Sequence, residues 1–277
     1  MQRRAGARRS GRVRGAAVAG VGLLTGWGEG AAALPADARA AARGRRVVTL
    51  ARPALAGERF RRATRECLLG VAAVEALLRD AGLARATLRG SDTALLYVTA
   101  GGYGASNVEF AAGETGTGGA LHFPYTAPSA VPGEVAIEFG LTGAYSILIG
   151  GATATLDALW QAARLLAAGR SRRALVLAVE TFAECEALWT RARWLAGRPL
   201  VETAACALLV PSDAATSLQP SRAPAELEAL ARARGGEALA AGPLVALALA
   251  RAAGRAGVLT LTGEWRGRRA GLTLEAH

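Results

Sequence analysis

With 277 residues, 52% of them hydrophobic and only 5% aromatic, the chain can bury one large α/β domain or two modest ones around Ala, Leu and Val. All 33 basic residues are arginine, giving a formal charge of +11, and Arg3, Arg4, Arg8, Arg9, Arg12 and Arg14 crowd the N-terminus. No apolar run reaches the ~18 residues of a membrane helix, and charge and glycine break the N-terminus too early for a secretion signal. Three isolated cysteines, Cys67, Cys185 and Cys206, sit in apolar segments, as small buried hydrophobes in a reducing cytoplasm do. There is no aromatic-rich strand, zinc motif or helix-turn-helix, so no nucleic-acid partner is expected. The basic surface suits an acidic protein partner instead.

The basic residues 1–14 are expected to form a disordered tail. Residues 14–24 read as a buried strand and 47–50 as a short one. Residues 60–81 read as a helix, because Cys67, Val71, Val74, Leu77 and Leu78 recur at helical spacing and Gly82 ends the run. Residues 93–99 form a strand before the turn Gly101-Gly102-Tyr103-Gly104. Residues 106–123 are rich in small residues and read mostly as loop, with a short helix near 108–112. A helix over 129–139, a strand over 145–149 and a helix over 155–168, ended by Gly169, follow. Next come a strand at 173–179, a helix at 184–195 carrying Trp189 and Trp194, and a strand at 204–211. The prolines of 218–224 mark a linker. Helices at 225–234 and 238–253 precede a closing hairpin, 258–264 with 271–275, around Arg266-Gly267-Arg268. Alternating strands and helices give an α/β fold with a central sheet.

The chemistry-bearing residues are sparse. Gly20, Gly22 and Gly26 miss the dinucleotide fingerprint, whose third glycine would fall one place earlier. A lysine-type phosphate loop is excluded, since the chain has no lysine. His122 and His277 are the only histidines and pair with no cysteine or serine in an evident elbow. Cysteines and histidines are too scattered for a metal, and no cofactor is expected. Glu184 and Glu186 beside Arg191 and Arg193 read as a solvated helix face.

One segment carries more information. Tyr145-Ser-Ile-Leu-Ile-Gly-Gly-Ala-Thr-Ala-Thr-Leu-Asp-Ala-Leu159 runs from a buried-strand pattern through a small-residue turn into an apolar helix. Such an elbow displays a nucleophile at a helix N-terminus, where the dipole and free N–H groups favour a thiolate. At the turn stands Ala152, which has nothing to attack with.

With this elbow, the chain resembles a β-ketoacyl synthase of the thiolase superfamily. Residues 17–25 resemble the opening strand. Residues 123–143, Phe-Pro-Tyr-Thr-Ala-Pro-Ser-Ala-Val-Pro-Gly-Glu-Val-Ala-Ile-Glu-Phe-Gly-Leu-Thr-Gly, resemble the approach to the nucleophile strand, with Ser129 where the family often has Asn. Residues 155–180 resemble the elbow helix and the next strand, and 235–242 and 258–274 the remnants of a C-terminal helix and hairpin. The resemblance implies a thiolase-like layered αβαβα fold with a strongly shortened C-terminal half. A single domain would span 15–277, divided into 15–212 with the elbow, a linker at 213–224 and a truncated half at 225–277.

It also implies what is missing. The family uses a cysteine, two histidines and a lysine. The cysteine position falls at Ala152, the segment of the first histidine is deleted, the second histidine falls near Gly236 or Glu237, and lysine is absent. Silent members of the family, the chain length factors, pair with an active ketosynthase through the strand before the elbow and close the far end of the acyl tunnel. Short versions accompany ketosynthases that make polyene-type chains. The expected function is therefore a non-catalytic, cytoplasmic partner of a ketosynthase, meeting acyl carrier protein through that partner. Phe110, Phe123, Tyr125, Ala130 and Val131 are the tunnel-lining candidates, and Tyr145, Ile147 and Ile149 the interface candidates. The alternatives are a malonyl-acyl carrier protein decarboxylase, which in this family carries glutamine at the nucleophile position and keeps its histidines, and a homodimer that binds acyl chains or the carrier. Solubility of the chain alone would favour the homodimer.

Overall fold

Strands covered on both faces need small or branched apolar residues throughout. Four segments meet that need in the computed structural model, which describes residues 11–13, 15–61, 63–102, 104–111, 123–182 and 198–276. They are β2 (Ala16–Thr25), β5 (Thr93–Thr99), β7 (Arg173–Glu180) and β9 (Thr203–Pro211). Between these lie β1 (Gly11–Val13), β3 (Gly28–Glu29), β4 (Val47–Val48), β6 (Tyr145–Ile149) and β8 (Leu200–Val201). Three more strands follow, β10 (Thr216–Pro220), β11 (Gly257–Trp265) and β12 (Arg268–Ala276). The main sheet runs β1-β10-β12-β2-β9-β7-β5-β6, with β11 on β12 and β3 on β2. Strands β5, β6 and β7 are parallel, and β9 is antiparallel to both β7 and β2. Among the described strands β6 stands at the end of this order, as an edge strand.

Helix α1 (Ala38–Ala42) is followed by α2 (Arg65–Ala81), which begins where Thr64 caps it and ends at Gly82 in the left-handed conformation. Helices α3 (Gly104–Ala111) and α4 (Ala130–Phe139) lead to β6, and α5 (Ala152–Ala167) follows it. Helices α6 (Glu226–Gly235) and α7 (Gly242–Ala252) precede the closing hairpin. One core packs α2 and α4 on the sheet through Leu69, Val74, Leu77, Val131 and Val135. On the other face Leu156, Leu159 and Ala163 of α5 lie between the sheet and the hairpin residues Leu261, Leu272 and Leu274. The sheet thus curls around α5, with α2 and α4 on its other face, and this packing of helices on both faces is the thiolase-like arrangement. Its C-terminal half is short, because after β9 only β10, α6, a 3₁₀ turn (Leu239–Ala241), α7 and the hairpin remain.

Several expectations need correction. Strand pairing starts inside the supposed tail, where Gly11–Val13 pairs with Thr216–Leu218. The supposed linker contains β10, held between β1 and β12. Leu218 is buried there, and Pro220 is tolerated because it ends the strand. The short helix expected near 108–112 is present as α3 and starts earlier, at Gly104. Gly20 and Gly22 lie inside β2, as the strand expected over 14–24 has them, so their spacing is that of a strand. The expected helix at 184–195, Cys185, His122, His277 and most of the N-terminal arginines lie outside the described residues.

Candidate functional site

The carboxyl ends of β5, β6 and β7 and the start of α5 meet at one rim of the sheet, where open α/β folds place their chemistry. Strand β6 leads through Gly150 and Gly151 to Ala152, the first residue of α5. The Gly150 N–H donates to the Thr99 carbonyl at 2.9 Å and ties the turn to β5. No side chain caps the helix at Gly151, so its first-turn N–H groups and dipole are offered to whatever stands at position 152. The elbow starts three residues earlier than the 155–168 helix read from sequence. Glycines and β-branched Thr153 obscured the start there.

Ala152 is 8% exposed. It lines a cavity of about 20 Å³ with Arg232, Gly236, Glu237, Leu239 and Thr262, room for about one water. Ala152 and the Gly236–Glu237 stretch, to which the resemblance assigns the family's cysteine and second histidine, therefore line one cavity. The polar groups there are engaged. Glu237 accepts from the Leu239 N–H at 3.2 Å and lies 3.7 Å from Arg198 and 4.0 Å from Arg232. The Thr262 hydroxyl donates to Glu228 at 2.5 Å, and Glu228 also pairs with Arg269. None of the cavity's polar side chains is a thiol, an imidazole or an amine. Cys67 and Cys206 are buried elsewhere: burial pushes the Cys67 thiol up to about 12 and raises that of Cys206 as well, so neither is a nucleophile.

Two buried carboxylates brace the rim. Glu180, at the end of β7, accepts from the N–H groups of Ala100 (2.7 Å), Gly101 (3.0 Å) and Ala240 (3.2 Å) and lies 3.3 Å from the Thr99 hydroxyl. Burial pushes it up to about 7, and those donors oppose the rise. The Thr155 hydroxyl donates to the Ala240 carbonyl at 2.6 Å. Together these bonds hold the 239–241 turn, in which Leu239 takes φ 45°, a costly conformation for a leucine. Glu202 pairs with Arg65 at 2.6 and 2.9 Å and accepts from the Leu50 and Phe182 N–H groups, each at 2.7 Å. Among the described residues no cluster of three or more His, Cys, Asp or Glu could hold a metal, and no helix is long and apolar enough to cross a membrane.

The tunnel-lining candidates fall into two groups. Phe110 and Phe123 are exposed and touch, with ring centroids 5.9 Å apart. Tyr125 and Ala130 pack on the α2 core, and Val131 is buried in it. Of the interface candidates, Tyr145 and Ile149 are half exposed on the edge strand, and Ile147 packs on the α2 core. Six of the seven large exposed apolar residues described lie between 108 and 149. Among these, Val108 and Ile137 were not anticipated, and Ile137 is 70% exposed. Its signal is legible afterwards: Val131, Val135 and Phe139 form the buried stripe of α4, and Ile137 falls off it. Glu180 and Trp265 were also missed, because neither sits in a recognisable motif.

The sequence profile "Beta-ketoacyl synthase, N-terminal domain" matches residues 44–206, more than half of the chain. No curated protein matches the sequence. Among solved structures, the ishigamide ketosynthase/chain length factor aligns over 94% of this chain and 98% of its own, with 20% identity and a TM-score of 0.70. A ketosynthase in complex with its chain length factor from Xenorhabdus doucetiae aligns over 94% and 99%, at 14% identity and a TM-score of 0.62. A type II polyketide synthase acyl-carrier protein in complex with its ketosynthase bound to the hexaketide aligns over 96% and 100%, at 14% identity and a TM-score of 0.71. At these identities the likeness is one of fold.

Proposed function

The chain belongs to the β-ketoacyl synthase family, and from that premise we propose that it is a non-catalytic partner of a ketosynthase, a subunit of the chain-length-factor kind. It completes a heterodimer and shapes the end of the acyl tunnel during type II polyketide or fatty-acid-like elongation. The carrying observation is Ala152: the helix that would activate a thiolate begins with a methyl group. A condensation needs a nucleophile to take the acyl chain and a group to assist decarboxylation. Among the described residues none at the rim supplies either, which supports a contribution of shape and contact.

The exposed apolar band supports the pairing. Edge strand β6 exposes Tyr145 and Ile149, and Ile137 and Phe123 are exposed on the segments that lead to it, the kind of apolar surface that a soluble protein covers. Solved ketosynthases joined to chain length factors share the fold. Acyl carrier protein would be met through the catalytic partner. Phe110, Phe123, Tyr125, Ala130 and Val131 are the proposed tunnel wall, and Tyr145, Ile147 and Ile149 the proposed interface. The chain from β1 onward acts as one unit.

The test is co-expression with the ketosynthase encoded beside it, followed by size-exclusion chromatography and native mass spectrometry. A stable one-to-one complex, with this chain insoluble alone, is the expected result. A soluble homodimer indifferent to the ketosynthase would overturn the proposal.

A further inference from the structure

The closing hairpin does more than complete the sheet. Strands β11 and β12 are joined by Arg266 and Gly267, with φ 50° and 74°, a two-residue turn whose twist matches the flanking strands. That turn fixes Trp265 at the tip of β11, two residues beyond Gly263 and therefore on the same face. The face is turned to the elbow. A Cβ placed on Gly263 would lie 2.7 Å from the Ala152 Cβ, so at this point the hairpin backbone rests against the methyl group. A Cβ placed on Gly151 would overlap the six-membered ring of Trp265, and one on Gly150 would lie 3.9 Å from its Nε1. The indole thus packs against both glycines of the elbow. It also packs with Phe182, Leu200 and Leu239, the last of these on the strained turn held by Glu180.

We infer that Trp265 seals the vacated nucleophile position. Among the described residues the indole and the Gly263 backbone pack over the elbow, and the cavity that Ala152 lines has room for about one water, so on this inference a thioester is kept from position 152 even if a thiol is restored. The chain is silent twice over, by the missing side chain and by the closed approach. The same contact does structural work, because the indole joins the shortened C-terminal half to the elbow. The inference rests on reading position 152 as the former nucleophile site, but its test involves no partner. A failed seal therefore leaves the heterodimer proposal untouched, and a failed heterodimer leaves the seal untouched.

The test uses the full chain in three variants, Ala152→Cys, Ala152→Cys/Trp265→Ala and, at an exposed residue as the reference, Ser129→Cys. Each is treated with iodoacetamide at about pH 8, where an ordinary thiol is partly ionised and displaces iodide. Peptide mass spectrometry locates and times the label. Buried Cys67 and Cys206, with their raised thiols, give a slow background. The Ala152→Cys thiol is expected to react at least about tenfold more slowly than the Ser129→Cys thiol, because labelling waits for local opening. The double variant is expected to recover most of that rate. If it does not fold, Ala152→Cys/Trp265→Phe, whose smaller ring only loosens the lid, is expected to give an intermediate rate. An Ala152→Cys thiol as fast as the reference overturns the inference. So does a thiol that stays equally slow after Trp265 is reduced.

Discussion

Replacing Ile149 by Asp separates an interface residue from a core residue. Ile149 is 53% exposed on an edge strand, whereas Ile147, two residues earlier, packs on the α2 core. Full burial of such a side chain is worth about 1.5–3 kcal/mol, so covering the exposed half in a complex contributes about 1 kcal/mol. The carboxylate of Ile149→Asp must in addition be taken out of water without a partner, which costs several kcal/mol. The expected loss is at least about 3 kcal/mol, more than about 100-fold in Kd. Isothermal titration or sedimentation with the partner ketosynthase reads it. In the isolated chain the same change loses only strand propensity, about 1 kcal/mol, or about 2–4 °C in Tm. Ile147→Asp should instead lower the Tm of the isolated chain much further, because it puts the charge against a core. Unchanged affinity for Ile149→Asp, or an equal loss of stability from the two variants, would refute the assignment of this edge as an interface.

Two further outcomes are expected. Ala130→Trp adds an indole where Ala130 and Tyr125 pack at the start of α4, and should shorten the product of the complex by at least one two-carbon step; mass spectrometry showing the same product would remove Ala130 from the tunnel wall. Glu180→Gln should flatten the pH dependence of stability. Burial raises Glu180 from 4.5 to about 7, so the folded state holds its proton more tightly than the unfolded state. Its contribution is full below about 4.5 and lost as pH rises to about 7, a change of about 3 kcal/mol at 1.4 kcal/mol per pH unit. Urea unfolding of both proteins at about pH 5 and pH 8 isolates it, since other groups cancel in the difference. Parallel curves would show that Glu180 does not titrate there.

What the sequence determined by itself was local. Helical spacing and the Gly82 stop place α2, alternation and turn residues place the hairpin, and Tyr145–Leu159 spells strand, turn and helix because each depends on neighbours a few residues away. The absence of lysine and the alanine at 152 are likewise matters of composition and position. The tertiary structure decided what depends on distant partners. Residues 213–224 read as a linker because prolines were weighed without β1 and β12, whose pairing makes 216–220 a strand. That β6 is an edge strand follows from pairing order, which no local pattern encodes. The lid on the elbow joins residues more than a hundred positions apart, Trp265 on Gly151. It forms only because a two-residue turn and the glycine at 263 let the hairpin lie against α5. Residues near in sequence determined which side chain stands at the elbow, and residues far apart in sequence determined what packs over it.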